Sequence, residues 1–218
     1  MKVNWAKLTI LWSVIMILGT QIAFSAEGES IVLPAPQTTG GKPLMQALNL
    51  RQSIRNFSEK PIPLQVLSNL LWAANGINRP DLGKRTAPTA MNSQEIDVYV
   101  AIESGLYFYD AKANQLKCIV AKDLRAATGG QPFVAKAPVN LIFVADLLKF
   151  TRGDEKMKEF FSATDTGYIS QNVYLFCASE GLATVVRGGL DRDALWKAMN
   201  LKPEQKIQLV QTVGYPAE

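Results

Sequence analysis

The chain of 218 residues has no histidine and only two cysteines. Without imidazole, serine triads, cysteine–histidine dyads and most catalytic zinc sites are excluded, because each relies on that ring as base or ligand. Two cysteines exclude a four-cysteine metal site and a disulfide framework. Cys118 falls in an expected strand and Cys177 in an expected helix, and both read as small buried hydrophobes. One disulfide between them stays open for an exported protein, since spacing does not fix geometry. Also missing are Gly-x-Gly-x-x-Gly and Gly-x-x-x-x-Gly-Lys-Ser/Thr, so neither a Rossmann pyrophosphate turn nor a P-loop is available. Side chains must then hold any phosphate. Charged residues make up only 19% of the chain and hydrophobic residues 48%, the balance of a packed globular protein, and the length suits one domain with a full core. Lys2 and Lys7 supply half of the formal charge of +4, and residues 1 to 26 hold no acid. The remaining chain is close to neutral, and nucleic acid is not the implied partner.

Those first 26 residues form the one segment set apart by composition. Lys2 and Lys7 precede an apolar run from Leu8 to Gly19, and Ala23-Phe24-Ser25-Ala26 follows, ahead of Glu27 and Glu29. A basic start, an apolar centre and small residues before a cleavage point define a secretory signal. Export to the periplasm is expected; an uncleaved leader would instead anchor the protein to the membrane, because its apolar span approaches the ~17 residues needed to cross a bilayer. Residues 27–41, with Pro34, Pro36, Gly40 and Gly41, read as a flexible lead-in. The domain proper is expected over residues 42–218.

Within it, helices are expected at Pro43 to Leu50, Leu64 to Ala74, Asp165 to Gly181 and Asp191 to Asn200, from apolar spacing and the Pro, Gly and Asp residues that punctuate it. Strands are expected at Ile96 to Ile102, Gly105 to Asp110, Gln115 to Val120, Pro138 to Ala145, Leu182 to Val186 and Lys206 to Pro216. Asn78 to Met91 is expected to be loop. Helices and strands in mixed order, with a hairpin among them, define an α+β class.

The most informative stretch is Arg51-Gln52-Ser53-Ile54-Arg55. Two planar guanidinium forks flank a hydroxyl, a set of donors suited to a phosphate or to the anionic edge of a ring.

This segment, together with Ala87-Pro88-Thr89-Ala90-Met91-Asn92-Ser93-Gln94, Ala137-Pro138-Val139, Gly181-Leu182-Ala183-Thr184 and Val213-Gly214-Tyr215-Pro216, resembles the flavin-dependent nitroreductase family, in the same order and from about Leu44 to Pro216. The stretch Leu70 to Pro80 also resembles the branch of azoline dehydrogenases that act in peptide-heterocycle synthesis, although Asn92-Ser93-Gln94-Glu95 departs from that branch. The resemblance implies an interlocked homodimer, a sandwich of helices about a mainly antiparallel sheet, with FMN at the subunit interface. It places Arg51, Gln52 and Ser53 on phosphate or ribityl oxygens and Arg55 near the pyrimidine edge, where positive charge favours the reduced ring. Asn92 would bond the ribityl chain or ring, with Gln94 supporting it. Pro88 and Thr89 would reach the flavin from the partner subunit, and the turn Val186-Arg187-Gly188 would offer backbone N–H to it. At Gly188 the well-studied members carry glutamate, and beyond Gly214-Tyr215-Pro216 many carry a basic residue where this sequence has Ala217-Glu218, which implies weaker phosphate binding.

The implied activity is hydride transfer from NADH, NADPH or another small reductant, through FMN, to a nitroaromatic, quinone or similar small-molecule acceptor. The flavin carries that chemistry, so no catalytic side chain and no metal are expected. Two alternatives stay open: FMN-dependent dehydrogenation of an azoline-like substrate with oxygen as acceptor, and flavin binding without turnover.

Overall fold

The computed structural model describes residues 28–217. The leader lies outside them, and among the described residues no helix is long and apolar enough to cross a membrane. The elements, in chain order, are β1 (Ile31–Val32), α1 (Leu44–Leu50), α2 (Leu64–Asn75), β2 (Ile77–Arg79), β3 (Lys84–Arg85), β4 (Ile96–Ile102), β5 (Gly105–Asp110), β6 (Gln115–Val120), β7 (Val139–Asp146), α3 (Glu155–Glu180), β8 (Ala183–Arg187), α4 (Arg192–Ala198) and β9 (Gln205–Gly214).

Seven strands form one antiparallel sheet in the order β1-β6-β5-β4-β7-β9-β8. At its centre Tyr99 of β4 opposes Ile142 of β7, which in turn opposes Val210 of β9. Both faces of this centre are covered, and β4 and β7 accordingly read as nearly unbroken apolar runs. One face packs Val98, Val100, Leu141 and Phe143 against Leu67, Leu70, Leu71 and Ala74 of α2 and Ile169, Val173 and Cys177 of α3. The other packs Tyr99, Ile142, Val144 and Val210 against Leu195 of α4 and Met199 at its end. Helices on both faces of a mainly antiparallel sheet give the α+β sandwich expected from sequence.

The helix ends follow local chemistry. Asp154 caps α3 by accepting from Met157 N–H at 2.8 Å, and Asp191 caps α4 by accepting from Ala194 N–H at 2.9 Å. Gly181 ends α3 in the left-handed region at φ 71°, which glycine enters without a Cβ penalty.

Three expectations need correcting. The lead-in is not free of the domain: Ile31 and Val32 pair with Leu116 and Gln115 at the sheet edge. Leu33 is buried, and Pro34 O accepts from Ser68 Oγ at 2.6 Å and from Asn114 Nδ2 at 2.8 Å. Proline cannot donate a backbone bond, but its carbonyl still accepts, so a Pro-rich segment can be fastened by the side chains facing it. Asn78 to Met91 contains the small hairpin β2–β3, turned at Gly83. Helix α3 begins ten residues before the expected Asp165, because its capping Asp154 was not read and its inward face is partly polar: Ser162, Asp165, Thr166 and Ser170 are all buried. Cys118 and Cys177 are both free thiols.

Candidate functional site

The Arg51–Phe57 segment runs along the outer edge of β8. Its backbone is fixed by Ile54 N–H donating to Thr184 O at 2.9 Å and by the bridge between Phe57 and Pro216. Ile54 and Phe57 turn inward onto Ala183 and Val185, which leaves Gln52, Ser53 and Arg55 exposed on the other side. The irregular backbone of this segment thus separates the anchoring residues from the donors.

Beneath these donors lies Tyr174 of α3, only 7% exposed. Its hydroxyl lies 2.8 Å from Ser53 Oγ and accepts from Val186 N–H at 3.0 Å. The Arg51 guanidinium stands over its ring, 5.3 Å from the centroid. Arg51, Ser53 and Val186 therefore meet around one side chain that the sequence reading did not single out. The signal was present: Ser170, Val173, Tyr174 and Cys177 share helical spacing, and a tyrosine on a buried stripe needs a partner for its hydroxyl.

The turn after β8 is open. A Cβ built on Gly189 would meet nothing within 4 Å, and one on Gly188 would meet only Leu209 Cδ2 at 3.5 Å. A flat ligand could approach this backbone closely.

The Arg187 side chain plays no part in this turn. It is buried on the opposite face of the sheet from Tyr174, following the alternation that also places Ala183 and Val185 there. Its Nη1 donates to Thr128 O at 2.9 Å and Gln131 Oε1 at 3.3 Å, and its Nη2 to Asn140 Oδ1 at 3.2 Å and Thr212 Oγ1 at 3.0 Å. All four acceptors are neutral, and burial pushes the guanidinium down to about 10. The side chain ties the segment around Thr128 to the sheet; any ligand contact at this position falls to the backbone.

Pro88, Thr89, Asn92 and Gln94 form a second cluster, in a turn with unusual backbone. Met91, Asn92 and Gln94 all lie in the left-handed region, at φ 54°, 55° and 48°. Such conformations cost on the order of 1 kcal/mol or more each and persist only when surroundings impose them. Here Thr89 Oγ1 accepts from Gln94 N–H and donates to Glu95 Oε2, both at 3.0 Å. Ala90 N–H donates to Asp165 Oδ2 at 2.7 Å, and Gln94 Oε1 accepts from Arg85 Nε at 2.7 Å. Pro88 and Asn92 remain exposed. Burial, and then the charge of Asp165, push the fully buried Glu95 carboxyl up to about 7.

Asp165 and Tyr174 both belong to α3, nine residues apart. At a rise of 1.5 Å per residue this separates the Pro88–Gln94 turn from the Arg51–Arg55 loop by about 14 Å along the helix. The expected residues form two groups in one chain: Arg51, Ser53 and Val186 with exposed Gln52, Arg55 and Gly188 nearby, and Pro88, Thr89, Asn92 and Gln94 apart from them.

A helix-covered antiparallel sheet thus carries an exposed donor loop beside an open glycine turn. The chain belongs to the nitroreductase family, whose family model matches residues 48–215. A candidate nitroreductase of Methanocaldococcus jannaschii is 30% identical over 171 residues, covering 73% of this chain and 85% of the relative. The crystal structure of a candidate nitroreductase from Ralstonia eutropha JMP134 is similar with a TM-score of 0.83 at 46% identity, over 87% of this chain and 90% of that one. A further crystal structure, of a candidate nitroreductase from Desulfovibrio desulfuricans in complex with FMN, shares the fold with a TM-score of 0.60 at 20% identity, over 82% of this chain and 89% of that one.

Proposed function

We propose that the protein is an FMN-dependent oxidoreductase that accepts hydride from NADH or NADPH and passes the electrons to a nitroaromatic, quinone or similar small acceptor. The observation that carries this reading is the set of outward donors on the Arg51–Arg55 loop, beside a turn where Gly188 and Gly189 leave space for a planar ring. When bound, the flavin supplies hydride acceptance and electron transfer; the chain supplies binding, orientation and charge. Arg51, Gln52 and Ser53 hold phosphate and ribityl oxygens, and Arg55 places positive charge where the ring gains negative charge on reduction. Val186 contributes through its amide, which is engaged by Tyr174 and so fixes the strand end, while the backbone after it faces the ligand. No protein acid, base or nucleophile is required.

The protein acts as a homodimer in this reading, and Pro88, Thr89, Asn92 and Gln94 serve the partner's cofactor. Large apolar side chains left exposed on α1 and α3 support this: Met45 is 75% exposed, Leu44 63% and Phe160 65%. Burial of such groups is the usual driving force for stable association. The basic and apolar leader supports export to the periplasm, with the donor then being NAD(P)H or another small reductant met there, and with membrane attachment only if the leader is retained.

The site assignment is tested by FMN titration of the double variant Arg51→Ala, Ser53→Ala. A loss of about 2 to 5 kcal/mol in binding is expected from removing charge-assisted bonds. Affinity equal to that of the unaltered protein would contradict the assignment.

A further inference from the structure

Tyr174 touches three parts of the proposed cradle yet is almost wholly buried. Its hydroxyl has one proton and two lone pairs, and one lone pair is taken by Val186 N–H at 3.0 Å. The remaining contact, 2.8 Å to Ser53 Oγ, joins two hydroxyls that could each donate. Chemistry decides the direction. A phenol is a stronger acid than an alkyl alcohol, and here it is polarised further by accepting from an amide and by the Arg51 guanidinium over its ring at 5.3 Å. The stronger donor gives its proton to the better acceptor, so the chain runs from Val186 N–H to Tyr174 O–H to Ser53 Oγ. Ser53 is exposed, and with its inner side occupied as acceptor its own proton turns outward.

We propose that Tyr174 is a positioning residue that fixes Ser53 as a hydrogen-bond donor toward the ligand and ties the Arg51–Arg55 loop to the end of β8. Arg51 and Arg55 then bring guanidinium donors, and Ser53 an outward hydroxyl proton, to the ligand. This set favours an edge rich in acceptors, such as a phosphoryl group or the oxygen-bearing edge of a ring. The identity of the ligand as a flavin rests on the function proposed above; the direction of the hydrogen-bond chain does not.

The test uses Tyr174→Phe, which keeps the ring beneath Arg51 and removes only the hydroxyl. FMN and riboflavin, which lacks the phosphate, are titrated by quenching of flavin fluorescence. About tenfold weaker binding is expected, the size of one lost hydrogen bond to a polar or charged group. Weakening of FMN alone places Ser53 on the phosphate; equal weakening of both flavins places it on the ring or ribityl chain; either supports the proposal. Adding Ser53→Ala to Tyr174→Phe should cost little more, because the two act through one chain, whereas a merely structural Tyr174 would give additive losses. Unchanged affinity for both flavins, or additive losses, overturns the proposal. Amide hydrogen exchange of the ligand-free protein supplies a readout that needs no flavin. Val186 N–H should exchange at least tenfold faster in Tyr174→Phe, and unchanged protection overturns the bridge. A wild-type protein that binds neither flavin would sink the flavin reading instead, with Val186 exchange still deciding the bridge.

Discussion

The Arg51–Arg55 loop and the Pro88–Gln94 turn are both held by helix α3, but by opposite chemistry. The first rests on Tyr174, an uncharged hydroxyl that joins Ser53 to Val186. The second rests on Asp165 of α3, which holds Ala90, together with Glu95 just before β4, which holds Thr89. The contrast teaches how one helix serves two tasks. Beneath a cationic loop proposed to bind an anion, a buried carboxylate would neutralise the positive field, whereas a phenol supports the loop without reducing its charge. Beneath the strained turn no such restriction applies, and the two carboxyls can accept from backbone and hydroxyl donors that hold Met91, Asn92 and Gln94 in their left-handed conformations.

The largest effect that would break this comparison is the one already given for Arg51→Ala with Ser53→Ala. The next concerns the acids. The folded state raises the Glu95 carboxyl from its ordinary 4.5 to about 7, so it favours the protonated form. Stability from this group is complete below pH ~4.5 and is lost as the pH rises through about 7, by roughly 3 kcal/mol if the shift is fully expressed. Thermal unfolding followed from pH 5 to 8 should show a falling midpoint in the wild type and a flatter profile in Glu95→Gln. Parallel profiles would remove the acid support from the account.

Arg187→Leu comes third. It removes the donor to Thr128 O, Gln131 Oε1 and Thr212 Oγ1, while Asn140 Oδ1 still accepts from Thr212, and should lower stability by about 2 kcal/mol. FMN affinity should change much less than in the Arg51 variant, which a side chain directed at the flavin would not permit. The smallest effect is expected for Gly188→Ala. Its Cβ has room, so unfolding should shift by less than ~0.5 kcal/mol, while FMN binding weakens slightly if the ring approaches this backbone. Tighter binding would place the ligand elsewhere.

How much of this was legible in the sequence depended on whether the deciding contacts are local. The strands β4, β5, β6, β7 and β9 were legible because residue type and alternation are local properties. The strap at Ile31–Leu33 was not, since prolines and glycines around a three-residue apolar run give no sign of the sheet edge that receives it. The donor loop was legible as Arg-x-Ser-x-Arg, but its support was not: Ser53 and Tyr174 lie 121 residues apart. Arg187 was expected to contribute its backbone N–H, and the period of two along β8, which puts it on the same face as Ala183 and Val185, accounts for its side chain turning away from Val186 and Tyr174.

Whether the donor loop and open turn hold a working flavin is read most directly from the visible spectrum of the protein purified with added FMN, desalted, and then treated anaerobically with NADH and with NADPH. A retained flavin spectrum that bleaches on addition of at least one nicotinamide is the predicted result. A folded protein that emerges colourless would contradict flavin binding, and retained flavin that neither nucleotide bleaches would contradict the proposed electron donor while leaving the cradle in place.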